Sequence, residues 1–424
     1  MSTATASRPA TTTAASDREI LRALAGEVAA IAALPVQAEK RRLWRRLNSL
    51  QPVRPMVMVD QVCWSELEEA DPQSLALRCQ DGWCRHYEQQ LRRTLHQWRH
   101  FPVDMVVEPW INVPMAIHNS GFGIGVVEER RETDAANDVV SHAYSNQLAK
   151  DEDLVRVQLP RISHARAESD RRLEQAAAIF GGVLPTRPWG ADPYLSIWDP
   201  ISTWMGAEGT LLALADRSDF MHALAERMTQ GYLGMLDQLE EQGLLAGPQS
   251  LIHCTGAWTD ELPAAGHDPR RWRCQDMWMF GLAQVLGSAS PRMFREFEVA
   301  YASRICERFG IVYYGCCDPL DRKMAEVRRI PKVRKVSMSP WADQARGAAA
   351  IGRDFVFSRK PNPAHLAMTN WDAELVRRDL TATRAICAEH GCPLEMILKD
   401  LSTVRHEPQR LYAWAEIAMR VVQE

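Results

Sequence analysis

Residues 311–319 read Ile311-Val312-Tyr313-Tyr314-Gly315-Cys316-Cys317-Asp318-Pro319. An apolar run stops abruptly at two thiols and a carboxylate, and a proline follows. A short continuous apolar run fits a strand covered on both faces, and proline turns such a strand out into a loop. The same phrase recurs along the chain. Met56 to Val59 stops at Asp60, Met105 to Val107 at Glu108-Pro109, and Tyr194 to Trp198 at Asp199-Pro200. Trp278 to Leu286 contains Gln284, and Val333 to Met338 passes Ser337 and runs into Ser339-Pro340. Phe355 to Phe357 meets Ser358-Arg359-Lys360-Pro361, and Leu394 to Leu398 meets Lys399-Asp400. Eight such runs separated by helical patterns predict an α/β fold with a parallel sheet. In one domain of this length they suggest a closed (β/α)8 TIM barrel over 51–424. A further run, Leu251-Ile252-His253-Cys254, precedes a loop-like stretch and reads as part of the connection before the fourth strand.

Outside the barrel the reading is simpler. Residues 1–15 are small and polar, a disordered tail without the pattern of an export signal. Residues 16–50 form a helical extension. Ser16 and Glu19 make a capping box, Ile20, Leu24, Val28 and Ile31 recur at helical spacing, and Pro35 interrupts. The second helix carries Lys40, Arg41, Arg42, Arg45 and Arg46, which reads as a solvated face. The connection at about 112–190 is long enough for a lid or hairpin over the barrel mouth. Its glycines 121, 123 and 125 lack the Gly-Lys-Ser/Thr of a phosphate loop.

The chain has 424 residues, 50 basic against 54 acidic, for a net charge of −4. That balance lacks the basic footprint of a nucleic-acid binder, and no apolar stretch is long enough to span a membrane. Ten cysteines without an export signal predict a cytoplasmic protein with reduced thiols. Most read as small buried hydrophobes; the adjacent pair Cys316-Cys317 stands apart.

The strand ends RPMVMVD, YYGCCDP, KVSMSPWAD, SRKPNPAHL and LEMILKDLSTV, with the helix SPRMFREFEVAYASRICERFG before YYGCCDP, resemble the uroporphyrinogen decarboxylase-like superfamily. That group holds the decarboxylase and the zinc methyltransferases that exchange methyl groups with corrinoid proteins. The resemblance spans roughly 50–424. It implies methyl-group transfer or demethylation of a small substrate, a corrinoid-binding protein as partner, zinc as cofactor and a homodimer. Cys316 falls at a zinc-binding cysteine of the methyltransferases, while Tyr314 stands where they have histidine and no cysteine follows the last strand. The decarboxylase's arginine-rich motif after the first strand is also replaced, by Asp60-Gln61-Val62-Cys63-Trp64.

Barrel enzymes build their sites at the C-terminal ends of strands, which gives the candidate residues. Cys316, Cys317 and His253 could hold zinc, since a catalytic zinc takes about three protein ligands and keeps one position open. Adjacent residues of a regular strand point opposite ways, so both thiols reach the mouth only if the chain turns there. Cys316, Asp60, Glu108, Asp199, Lys399 and Asp400 are the candidate catalytic groups. Without a metal, Arg359, Lys360 and Lys399 could clamp a carboxylate, which suits a cofactor-independent decarboxylase or lyase acting on a carboxylated, tetrapyrrole-like substrate. Ser337, Ser339, Trp110, Trp198 and Trp258 would line the pocket, where aromatic walls suit a flat or methylated small molecule. A non-catalytic ligand-binding barrel is the third reading.

Overall fold

The protein is described by a computed structural model over residues 15–132 and 140–424. The expected tail, apart from Ala15, and part of the 112–190 insertion lie outside those residues. Seven strands, β1 (Met56–Val59), β2 (Tyr194–Leu195), β3 (Trp278–Gly281), β4 (Ile311–Tyr314), β5 (Val333–Met338), β6 (Val356–Arg359) and β7 (Leu394–Leu398), form one parallel sheet. Its order is β1-β7-β6-β5-β4-β3-β2. Six helices matter below: α1 (Ala15–Ala32), α2 (Pro35–Asn48), α3 (Gly82–His100), α4 (Trp198–Met205), α5 (Ala373–His390) and α6 (Gln409–Gln423). The sheet thus winds in the order expected of consecutive β/α units.

Alternation along the strands divides the core in two. Val57, Val312, Val336, Phe357 and Met396 face the surrounding helices. Met56, Met58, Val356 and Ile397 face inward onto Trp44 and Leu47 of α2, and Trp278, Phe280, Ile311 and Tyr313 share the interior. Each fully buried side chain of this size contributes roughly 1.5–3 kcal/mol, so α2 is held by its indole and leucine. Its Pro35 is the first helical residue, where the missing N–H costs nothing.

The second expected strand does not join the sheet. Residues 103–107 run along α2 instead: Trp44 Nε1 donates to the Asp104 carbonyl (2.9 Å), and Lys40 Nζ to those of Val103 (2.7 Å) and Met105 (3.2 Å). The Val107 N–H donates to Gln37 Oε1 at 3.0 Å. Side chains of the extension satisfy backbone that a ladder would otherwise have used. Lys40 is therefore a structural donor, not part of a solvated face. Asp104 also covers the edge of β1, accepting from the Val57 N–H (2.8 Å) while its own N–H donates to the Val57 carbonyl (2.9 Å). Arg54 pairs with the same carboxylate at 2.6 Å. Among the described residues the ladder therefore has seven strands, not eight. Two runs are also shorter than expected: Tyr194–Trp198 stops at Leu195, and Trp278–Leu286 at Gly281.

The connection at 251–256 is an antiparallel hairpin, Leu251–Ile252 against Thr255–Gly256, laid on the inner face of the sheet. Thr255 Oγ1 donates to Glu395 Oε2 (2.7 Å), and Lys335 Nζ to the same oxygen (2.7 Å). A Cβ on Gly256 would stand 2.5 Å from the Trp44 ring, so only glycine lets the hairpin close over α2. The insertion contains the expected hairpin, Glu128–Glu132 against Val140–Tyr144. It is tied beside the end of β2, where the Gln147 N–H donates to the Trp204 carbonyl at 2.8 Å. Among the described residues no helix is long and apolar enough to cross a membrane.

Candidate functional site

Five chain segments converge at the C-terminal ends of the strands. β4 delivers Cys316 and Cys317, β7 delivers Lys399 and Asp400, β1 delivers Asp60, β2 leads to Asp199, and the inner hairpin delivers His253. Gly315, at φ 88°, makes the turn that a regular strand would not. The backbone beyond it is fixed by the Asp318 carboxylate, which accepts from the Cys316 N–H (3.0 Å), and by Ser337 Oγ, which donates to the Cys316 carbonyl (2.7 Å). Both thiols consequently face the same space, with their sulfurs 3.5 Å apart. His253 (φ 54°), Gln61 (φ 50°) and Asp400 (φ 56°) also hold left-handed backbone, a concentration of strain that suits a functional site.

Cys316 Sγ is the hub. It lies 3.0 Å from Lys399 Nζ, 3.6 Å from His253 Nε2 and 3.5 Å from Cys317 Sγ. Lys399 Nζ is also 3.1 Å from His253 Nε2 and 3.0 Å from Asp400 Oδ2, and Cys317 Sγ is 3.3 Å from that same oxygen. The imidazole of His253 stacks on Phe280 at 4.0 Å and 8°, which fixes its plane.

The electrostatics follow from this packing. The Cys317 thiol donating to Cys316 Sγ, with His253 and Lys399 beside it, outweighs burial and holds Cys316 as a thiolate far below the ordinary thiol range. Cys317 is pushed the other way by the anion beside it. Burial alone would lower His253, but its bonds to Cys254 and Cys316 hold it up at about 9. Lys399 is likewise raised by the Cys316 charge against the pull of burial. Burial raises the carboxyls of Asp60 and Asp199, and Tyr194 Oη donates to Asp199 Oδ2 at 3.0 Å. Tyr194 was not singled out in the sequence, because a tyrosine inside an apolar run reads as packing.

The other candidates lie elsewhere. Arg359 points outward, donating to the Ser339 carbonyl (2.8 Å) and facing Asp379 of α5 at 3.7 Å, because it alternates with the inward Ser358. Lys360 does turn inward, bonded to Tyr313 Oη and to Ser358 Oγ (2.9 Å). Ser339 is fully buried. Trp198 is sealed in the core against Phe297, since the strand ends early and α4 begins there. Trp258 lies near Arg41 of α2 (5.7 Å), away from the thiols. Trp110 packs under Arg187 at 4.2 Å. Glu108 follows the diverted 103–107 segment, so its neighbours are Arg41, Ser250 and Arg187. Burial raises its carboxyl to about 7.

The donor atoms fit a soft cation. Ligands at zinc distances on a tetrahedron stand roughly 3.5–3.8 Å apart, against the 3.5 Å and 3.6 Å found around Cys316. Cys316, Cys317 and Asp400 have ligand atoms within 4.8 Å of one another, so Asp400 is a better placed third donor than sequence suggested. Lys399 Nζ sits among these donors, and a metal there requires the ammonium to swing aside.

No protein-family model and no curated protein matches this sequence. Among solved structures, a methyltransferase from Methanosarcina mazei matches over 91% of this chain and 98% of that chain, at 10% identity and a TM-score of 0.47. A likeness that remote carries no argument, and the reading below rests on the site.

Proposed function

We propose that this chain is a barrel-type enzyme that moves a methyl group from a small methylated substrate, with the 103–107 segment standing in for the eighth wall strand. The observation that carries the reading is the Cys316 sulfur, backed by a second thiol and flanked by an ammonium and an imidazole at the strand ends. Zinc, held by Cys316 and Cys317 with Asp400 or His253, would act as a Lewis acid toward a substrate heteroatom or an acceptor thiol. The protein's own groups do the rest. Without the ion Lys399 balances the Cys316 sulfur and His253 is braced beside it on Phe280; with the ion the ammonium swings aside. Asp60 and Asp199, whose carboxyls burial raises, are the proposed groups that pass a proton to the leaving heteroatom once its bond to the methyl carbon breaks. A corrinoid-binding protein is the proposed methyl carrier, and a homodimer the proposed assembly. The decarboxylase alternative keeps Lys360 and Lys399 but loses Arg359, which faces α5.

The test is a comparison of Cys316→Ser and Cys317→Ser with the parent in metal content, melting and demethylation of methoxylated aromatics and quaternary amines, with cob(I)alamin as acceptor. Cys316→Ser should lower the bound zinc by one ion per chain and abolish turnover, with the melt in EDTA nearly unchanged, because a hydroxyl is a poor soft ligand. Wild-type turnover in that variant would sink the thiol-centred reading.

A further inference from the structure

We propose that Asp71, His96 and His100 bind a divalent transition-metal ion of the zinc class at a second site, remote from the thiols. Two histidines four residues apart share one helix face, and His96 and His100 do so at the end of α3. The facing carboxylate comes from Asp71, at the turn before the short helix Pro72–Leu75. The ligand atoms of all three lie within 4.8 Å of one another.

The state of His96 carries the argument. Its side chain is 0% exposed, and its two nitrogens have different fates. Nε2 stands 3.3 Å from Tyr412 Oη of α6. Nδ1 has no hydrogen-bond partner and points at Asp71 Oδ2, 3.6 Å away. That gap is too long for a hydrogen bond. It matches the roughly 3.4 Å between two donors that share a tetrahedral ion at ~2.0–2.2 Å. A buried nitrogen left unpaired costs free energy, and an ion in the gap removes that cost. Asp71 spends Oδ1 on capping the Ser74 N–H (3.1 Å), which leaves Oδ2 free to ligate.

Surrounding groups complete the pattern. With Nε2–H donated to Tyr412, Nδ1 presents its lone pair to the ion, the usual arrangement in which an outer partner sets the tautomer of a ligating histidine. The His100 ring stacks on Tyr412 at 4.6 Å and 19° and lies 4.4 Å from the His96 ring. Asp71 and His100 are half-buried, so the ion has an entry path and room for a fourth ligand. Two imidazoles and one carboxylate suit Zn²⁺, Co²⁺ or Ni²⁺ rather than Mg²⁺ or Ca²⁺. The ion would tie α3, the Asp71 turn and, through Tyr412, α6 together.

The proposal is independent of the thiol site, and the experiment keeps them apart. The full chain carrying Cys316→Ser and Cys317→Ser is titrated with Co²⁺, followed by visible absorption, and with Zn²⁺, followed by calorimetry and melting. About one ion per chain should bind and raise Tm, since a ligand of the folded state alone stabilises it. Adding His100→Ala or Asp71→Asn should abolish the Co²⁺ band and the zinc-dependent Tm rise, while melts in EDTA stay at the parent value because both residues are half-exposed. Tyr412→Phe should weaken binding by roughly tenfold. Equal metal uptake with and without His100, or a melt indifferent to zinc, would overturn the proposal.

Discussion

Replacing Lys399 by methionine tests the electrostatic origin of the Cys316 thiolate. The ammonium lies 3.0 Å from the sulfur, and both side chains are buried. Two unit charges at that distance attract by about 5–6 kcal/mol at an effective dielectric of ~20, equivalent to roughly four pKa units. The lysine's own desolvation, and its pairing with Asp400 at 3.0 Å, offset part of this. A rise of about two to three units in the Cys316 pKa is therefore expected. Cys317 and His253 remain, so the thiol should still ionise below the ordinary range. The assay is the pH profile of Cys316 alkylation by iodoacetamide, quantified by peptide mass spectrometry. Near pH 4, between the parent thiol's value of about 3 and the raised value of the variant, the methionine variant should react about 10–100-fold more slowly than the parent, and Lys399→Arg should stay close to it. A methionine variant whose profile overlays the parent's would refute the assignment of the ammonium as a stabiliser of the thiolate.

Other substitutions probe the frame around that site. Glu108 has a folded-state pKa near 7, above its unfolded value, so the folded state keeps the extra proton. Stability should accordingly fall as pH rises from about 4.5 to 7, and Glu108→Gln should remove that slope and gain about 2–3 kcal/mol at pH 8 in urea titrations. An unchanged slope would show that Glu108 is not the titrating group. Lys335→Met strands Glu395 in the core, where both side chains are 0% exposed, and should cost about 3–5 kcal/mol. The double replacement Lys335→Met/Glu395→Leu should recover most of the loss in the same denaturation assay. At Gly315, a Cβ would lie 2.4 Å from Leu320 at φ 88°. Gly315→Ala should cost about 1–3 kcal/mol and slow bridging of Cys316 and Cys317 by dibromobimane; rapid bridging would contradict the role given to this turn.

The sequence by itself determined seven of the sheet strands and, for several of them, where they end. Ile311–Tyr314, Val333–Met338 and Leu394–Leu398 are strands over the ranges their runs mark, because a strand buried on both faces is made mainly of apolar residues, the buried exceptions Lys335 and Glu395 pairing with each other. The same rule put Cys316, Cys317, Lys399, Asp400, Asp60 and Asp199 at strand ends. Tertiary structure decided the rest. Residues 105–107 carry a strand's composition, yet Gln37, Lys40 and Trp44 of a distant helix claim the backbone of 103–107, and apolar periodicity holds no record of such competitors. One-residue alternation turned Arg359 outward and Lys360 inward. A single left-handed glycine brought two adjacent thiols to one side, where the strand pattern would have parted them. The four-residue spacing of His96 and His100 is present in the sequence, but only folding set Asp71 and Tyr412 against it. Local pattern records what each segment buries; which polar groups meet depends on contacts between segments far apart in the chain.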